Sequence, residues 1–132
     1  MTSGPTPEYV NRQLQLADEA LDDARYLMQG NRLKAAANRA YYAMFYAATS
    51  ALLGVTTRPP RTHRGTISLF DRHYVQTGKL DIQFARVFQD ANHLRLQSDY
   101  GASTEVEEQR VKETIDNAAS FVAEVKRLVN ED

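Results

Sequence analysis

The feature that most constrains the fold is a stretch rich in tyrosine and alanine at residues 39–48, which reads RAYYAMFYAA. Residues four apart share a face of a helix, so Tyr42 lies beside Tyr46 and Tyr41 lies beside Phe45. The alanines between them allow other helices to approach closely. A helix that carries aromatic side chains on one part of its surface and only alanine on another is suited to burial. The pattern predicts that it packs against more than one other helix.

Two long segments each carry a single apolar stripe with steps of three and four residues, the spacing of one helical face. The first helix is predicted to begin at Thr6 or Pro7 and to end at Gly30. The last is predicted to begin at a capping box of Thr104 and Glu107. We expect these helices to pack as near-antiparallel neighbours. Their stripes are Val10, Leu14, Ala17, Leu21, Ala24 and Met28, and Val111, Ile115, Ala118, Val122, Val125 and Val129.

Between these two helices the sequence predicts three more. Asn31 is expected to cap the second helix, which ends at Leu53. A short helix is predicted over 66–74, followed by a turn, and a long helix opens at residue 80 or 81 and ends within 98–101. No segment shows the alternation of a half-buried strand. The predicted fold class is therefore all-α, an up-and-down bundle of four long helices plus a short fifth.

Length and composition narrow the possibilities further. A chain of 132 residues suits one domain, so we predict a single helical domain over 1–132 with a flexible N-terminus at 1–5. The net charge of −1 gives no global field for nucleic acid, so any such contact needs a local patch. The absence of cysteine excludes disulfides and thiol chemistry. With no signal peptide and no apolar run of roughly 18 residues, we expect a cytoplasmic protein without membrane contact.

The densest basic cluster lies in a loop with two prolines after the second helix, and comprises Arg58, Arg61, His63 and Arg64. This cluster could bind phosphates of RNA or of a nucleotide, and the prolines would reduce the ordering cost of binding. An equally weighted alternative is a solvated connector. The histidines do not show the spacing of a metal site, so we predict neither a metal nor another cofactor.

The aromatic side chains of residues 41–46 are interpreted as core and dimer-seam residues rather than as a platform for stacking bases. A buried tyrosine hydroxyl needs a hydrogen-bond partner. Asn38, Arg39 and the region of Arg95 are the candidates for that partner.

Three segments, in matching order and spacing, together resemble the HEPN domain family over about residues 8–128. Residues 40–48 resemble the second helix of that family. Residues 62–80 are similar to the middle segment of its small stand-alone prokaryotic branch. Residues 94–101, LRLQSDYG, resemble the arginine and the Asp-Tyr-Gly ending of that branch.

The resemblance implies a helical bundle that pairs as a homodimer. Many members of the family are metal-independent endoribonucleases that act as toxins or in antiviral defence, often with a minimal nucleotidyltransferase as antitoxin partner. Other members have lost catalysis. The resemblance therefore predicts a HEPN-type protein of a toxin–antitoxin or defence system that cleaves RNA. The alternative is a non-catalytic nucleotide-binding or interaction module that partners a nucleotidyltransferase.

The catalytic pattern of the family is an arginine, four to six residues, and a histidine. Arg95 aligns with the arginine of the family, and Asp99 and Tyr100 follow it, so that Tyr100 stands where the histidine is expected. His93 is the neighbour that could substitute for it. Arg86 with His93 also fits the spacing, although the aligned segment favours Arg95. The resemblance thus gives Arg95, Asp99, Tyr100 and His93 as candidate catalytic residues.

In the mechanism that the resemblance implies, a base removes the proton of an RNA 2′-hydroxyl, whose oxygen attacks the adjacent phosphorus. Arg95 neutralises charge on the phosphoryl oxygens, and the products are a 2′,3′-cyclic phosphate and a 5′-hydroxyl. Histidine, with a pKa of about 6.5, suits the base better than tyrosine at about 10, which favours His93 or His63 over Tyr100. The alternative for Arg95 and Asp99 is an exposed ion pair, worth about 0.3–0.5 kcal/mol.

Overall fold

The computed structural model describes residues 7–100 and 105–130, and within them the chain forms five α-helices and no strand. The all-α class is confirmed. The third helix continues without a break into a π-helical turn at Asp71–Val75. The helices are α1 (Pro7–Gln29), α2 (Leu33–Leu52), α3 (His63–Phe70), α4 (Ile82–Tyr100) and α5 (Glu108–Asn130).

Helix α2 lies at the centre of the bundle and contacts each of the other four helices. Most of its buried residues have small side chains, which allows the neighbouring backbones to pack close to it. The prediction of a buried helix with several partners is confirmed. The buried alanines of α2 are Ala36, Ala37, Ala40, Ala43, Ala47, Ala48 and Ala51.

Helices α1 and α5 pack against α2 and against each other. Late in α1, Arg25 lines the same groove as Lys112, which lies early in α5. At the other end of this contact, Lys126 Nζ donates to the carboxylate of Asp18 at 2.8 Å. Because the late part of one helix meets the early part of the other, the two are antiparallel, as their stripes predict.

A cluster of phenylalanines joins α5 to α3 and α4. Phe121 of α5 is fully buried, and its ring centroid lies 5.2 Å from that of Phe70 and 5.1 Å from that of Phe88. Phe84 closes the cluster at 6.2 Å from Phe121. Phe88 also stacks on Tyr41 at 5.9 Å, so this core reaches directly to the aromatic segment of α2.

The prediction that Asn31 caps α2 is wrong. Asn31 has a left-handed φ of 60°, a conformation that asparagine tolerates better than most residues. It forms the turn between α1 and α2, while the next residue, Arg32, is the N-cap and makes no side-chain cap bond. The N–H of Arg32 donates to the carbonyl of Leu27 at 2.8 Å, and this bond satisfies a carbonyl in the last turn of α1.

Helix α3 begins three residues earlier than predicted because a threonine caps it. The hydroxyl of Thr62 accepts a hydrogen bond from the N–H of Gly65 at 2.9 Å. A Cβ at Gly65 would lie 2.8 Å from that hydroxyl and 2.9 Å from the Cβ of Pro60, so the close approach requires glycine. His63 is therefore the first residue of a helix rather than part of a loop.

Several predictions fall outside the residues that the structure describes. These are the flexible segment 1–5, the cap at Thr6, the Thr104 half of the capping box and Gly101. The backbone of Tyr100 ends α4, but its side chain also lies outside the described part.

Candidate active site

His63 contacts three aromatic side chains of α2. The hydroxyl of Tyr41 lies 2.8 Å from His63 Nδ1, and the hydroxyl of Tyr42 lies 3.4 Å from Nε2. The ring of Phe45 lies against the imidazole, with centroids 4.8 Å apart. Because α3 begins at His63, the imidazole projects from a fixed helix start toward α2. The sequence pattern groups His63 with the basic loop, whereas the structure places its side chain against the aromatic residues of α2.

Arg95 of α4 reaches the same tyrosine from a buried position. Its side chain is only 8% exposed, and its guanidinium lies 4.9 Å from the ring centroid of Tyr41. Nε and Nη2 donate to the side-chain oxygen of Asn92 at 3.2 and 2.9 Å. Nη1 lies 3.6 Å from a carboxylate oxygen of Asp99. The predicted ion pair of Arg95 and Asp99 exists, but its cation is buried rather than exposed.

A second arginine lies on the other tyrosine. The guanidinium of Arg39 is 4.9 Å from the ring centroid of Tyr42. Arg39 donates through Nε and Nη2 to the side-chain oxygen of Asn38, both at 3.1 Å. Asn38 in turn donates from Nδ2 to Asp99 at 3.3 Å. This link joins the two arginines through one amide and one carboxylate.

These contacts form a closed cycle, which we call the arginine–histidine ring. Helix α2 contributes four of its members, α3 one and α4 two, so the ring exists only when the three helices pack together. In contact order the members are Tyr41, His63, Tyr42, Arg39, Asn38, Asp99 and Arg95, which returns to Tyr41.

Within the arginine–histidine ring, both His63 and Tyr41 are neutral at pH 7. Burial lowers the pKa of His63 below its usual 6.5, and the positive charge of Arg95 lowers that pKa further. Burial raises the pKa of Tyr41 well above its usual range, with Arg95 opposing the rise. The arrangement therefore combines a neutral imidazole, which can accept a proton, with two guanidiniums, which stabilise negative charge.

The lowered pKa of His63 predicts a stability that depends on pH. Between the folded pKa and the unfolded value of about 6.5, the unfolded chain binds more protons. The contribution of His63 is therefore complete above about pH 6.5 and is lost as the pH falls through the folded pKa. Urea unfolding of the wild type and of His63→Gln over this range measures it. The pH dependence should weaken in His63→Gln and persist in His93→Gln, and the reverse would contradict the assignment.

The arginines of the basic loop do not join the ring. Arg58, Arg61 and Arg64 are all exposed, while His63 alone turns inward. Their predicted role in binding phosphate stays a prediction.

The alternative histidine of α4 lies apart from Arg95. His93 is exposed, and residues two apart on a helix point in different directions. Arg86 is exposed as well, so the pair with the alternative spacing lies on the surface of α4. Of the candidate residues, the structure brings together Arg95, Asp99 and His63.

The partner of the buried tyrosine hydroxyl differs from the prediction. Asn38, Arg39 and the region of Arg95 are the candidates that the sequence offers, but the hydroxyl of Tyr41 bonds to His63 instead. Sequence reasoning also missed Arg39 and Asn92 as members or supports of the site. A signal for both was present, because Arg39 stands three residues before Tyr42 and Asn92 three before Arg95, the spacing of neighbours on a helix.

Two further properties of the described ranges, 7–100 and 105–130, bear on the chemistry. They hold no group of three histidine, aspartate or glutamate side chains that could bind a metal ion. No helix in them is both long and apolar enough to cross a membrane.

Comparison with known proteins gives consistent matches along the chain. The model of the HEPN domain matches residues 10–128. A UPF0332 protein of Thermotoga maritima is 36% identical over 124 residues, which is 94% of this chain and 91% of the relative. A UPF0332 protein of Archaeoglobus fulgidus is 32% identical over 120 residues, 91% and 94% of the two chains. A Methanocaldococcus jannaschii protein named "Putative toxin" is 30% identical over 124 residues, 94% and 91%.

Proposed function

The chain belongs to the HEPN domain family, and on that basis we propose that it is a toxin that cleaves RNA at the arginine–histidine ring. One observation carries the proposal: a neutral imidazole, His63, shares a closed set of contacts with two guanidiniums, Arg39 and Arg95. The toxin name of an archaeal relative supports the biological role. RNA in the cytoplasm would be the substrate.

In the proposed reaction, Nε2 of His63 accepts the proton of an RNA 2′-hydroxyl. The tautomer that permits this has its proton on Nδ1, from which it donates to the hydroxyl oxygen of Tyr41. The 2′-oxygen then bonds to the adjacent phosphorus, and the bond from phosphorus to the 5′-oxygen breaks. The 5′-oxygen takes a proton from water, and the hydroxide that remains accepts the proton held by His63. A guanidinium of the site stabilises charge on the phosphoryl oxygens. The products are a 2′,3′-cyclic phosphate and a 5′-hydroxyl.

Cleavage of RNA by the purified protein, with analysis of the product ends, tests this proposal. Arg95→Ala should lower the rate by about 10²-fold, because it removes the guanidinium that holds Tyr41, the residue that orients the imidazole of the proposed base. Arg86→Ala, an exposed arginine on the same helix, is the matched control and should cleave like the wild type. Full activity in Arg95→Ala would overturn the assignment of the site.

A second function, a non-catalytic nucleotide-binding or interaction module, is favoured by one observation. Tyr100 stands five residues after Arg95, where catalytic members of the family are expected to have histidine. Expression of the chain alone in bacteria separates the two functions. Growth arrest with degraded RNA, both relieved by Arg95→Ala, supports the toxin. Normal growth and intact RNA support the module.

We also propose that the protein pairs with a second copy and with a nucleotidyltransferase antitoxin. Tyr42, Phe45 and Tyr46 are only half-buried, and they form a continuous aromatic surface on α2 with ring centroids about 6 Å apart. Covering such a surface with its own copy is a common route to a dimer. Light scattering should report a dimer at micromolar concentration, and a monomer would contradict the pairing. Co-purification with a co-expressed nucleotidyltransferase tests the second partner.

A further inference from the structure

We infer that Arg39, and not the motif arginine Arg95, contacts the substrate phosphate, and that Arg95 is a positioning residue acting through His63. The inference rests on the proposed function and concerns the division of labour within the same ring. It follows from the access, the hydrogen-bond partners and the charge balance of the two guanidiniums.

The guanidinium of Arg95 is enclosed and already engaged. Its side chain is 8% exposed, and all three of its nitrogens have partners. Nε and Nη2 donate to Asn92, and Nη1 faces Asp99. A phosphate would have to displace an amide and a carboxylate in order to reach it. Replacing satisfied bonds in a buried position gains little, so Arg95 is poorly suited to direct contact.

The guanidinium of Arg39 is more accessible and less engaged. The residue is half-buried, and its Nε and Nη2 share a single acceptor, the oxygen of Asn38. Within the part of the chain that the structure describes, Nη1 has no hydrogen-bond partner and no carboxylate pairs with Arg39. The contact with the face of Tyr42 and the bonds to Asn38 hold the guanidinium in place, so its free edge is preorganised for a phosphate.

Arg39 also shares a neighbouring side chain with the nitrogen that is proposed as the base. Tyr42 contacts Arg39 through its ring and approaches Nε2 of His63 through its hydroxyl, at 3.4 Å. Arg39 and the Nε2 atom therefore meet at one side chain. Arg95 instead contacts Tyr41, the partner of Nδ1, which is the nitrogen that does not face the substrate in the proposed reaction.

Arg95 retains a function through its charge. That charge helps to lower the pKa of His63 and so favours the neutral base. The contact with Tyr41 also holds the residue that orients the imidazole. The two arginines thus predict different consequences on replacement, one in affinity for phosphate and the other in the titration of His63.

Binding of a single-stranded RNA oligonucleotide with 2′-O-methyl groups, which cannot be cleaved, tests the assignment. Arg39→Gln should weaken binding about tenfold and lower the slope of log affinity against log salt by about 0.7, the value for one lost phosphate contact on a single strand. Arg39→Lys keeps the charge, so the slope should remain while affinity falls. Arg12→Gln, an exposed arginine on α1, is the matched control and should bind like the wild type.

NMR titration of His63 completes the test. Arg95→Gln should raise the pKa of His63 and leave the salt slope of binding at the wild-type value, whereas Arg39→Gln should leave that pKa unchanged. A wild-type slope in Arg39→Gln, or a reduced slope in Arg95→Gln, would overturn this inference alone. Failure of the wild type to bind the oligonucleotide at all would overturn the proposed function together with it.

Discussion

Replacement of His63 with glutamine is expected to lower RNA cleavage by about 10²–10⁴-fold, the usual contribution of a general base. Glutamine keeps a polar group that can bond to Tyr41 but cannot take up a proton at neutral pH. The fold should survive, because the side chain lies at the edge of the core and α3 is capped by Thr62. The measurement is the single-turnover rate of RNA cleavage, with circular dichroism as the check on folding.

The pH dependence of cleavage gives an independent test of the same residue. The wild-type rate should rise as His63 loses its proton, with a midpoint below the usual histidine pKa of about 6.5, and then level off. This step should disappear in His63→Gln. His93→Gln is the control, because that histidine is exposed on α4. Loss of activity in His93→Gln with retention in His63→Gln would show that His93, the neighbour of the aligned arginine, is the base.

Replacement of Phe121 with alanine is expected to lower the free energy of unfolding by about 3–5 kcal/mol. Phe121 is fully buried and lies at the centre of the cluster that joins α5 to α3 and α4. Its removal costs the transfer free energy of the ring and leaves a cavity bounded by other rings, which cannot all move inward. Urea denaturation followed by circular dichroism measures the change.

An exposed aromatic residue supplies the control for this effect. Tyr26 is 77% exposed on α1, and Tyr26→Ala should change stability by no more than about 0.5 kcal/mol. If Phe121→Ala lowered the free energy of unfolding as little as Tyr26→Ala, the phenylalanine cluster would not be the principal core. The activity of Phe121→Ala should fall together with the folded fraction, since both α3 and α4 contribute to the arginine–histidine ring.

The helices could be predicted because their signal is local. The stripes of α1 and α5 repeat every three or four residues, and the end of one, near Gly30, is marked by a helix-breaking residue. The alanine-rich face of α2 likewise predicts its central place. The ion pair of Arg95 with Asp99 follows from a spacing of four residues on one helix.

The site itself could be predicted only in part, because most of its contacts cross between helices. Periodicity assigns faces within one helix but does not say which loop residue reaches which face. The sequence therefore predicts His63 as part of a basic loop. The threonine cap at Thr62, which a capping analysis of residues 62–65 could have identified, converts that loop residue into the first residue of α3. The prediction that Asn31 caps α2 is wrong because asparagine is favoured both in a left-handed turn and at an N-cap, and the sequence alone does not distinguish the two.

The placement of the histidine on α3, apart from the arginine on α4, has an evolutionary consequence. Here the imidazole could be lost by a single substitution at the edge of the bundle, leaving Arg95, Asp99 and the core unchanged. If His63 is the base that we propose, one substitution at that position would convert this chain from an enzyme into a binding module without loss of the fold.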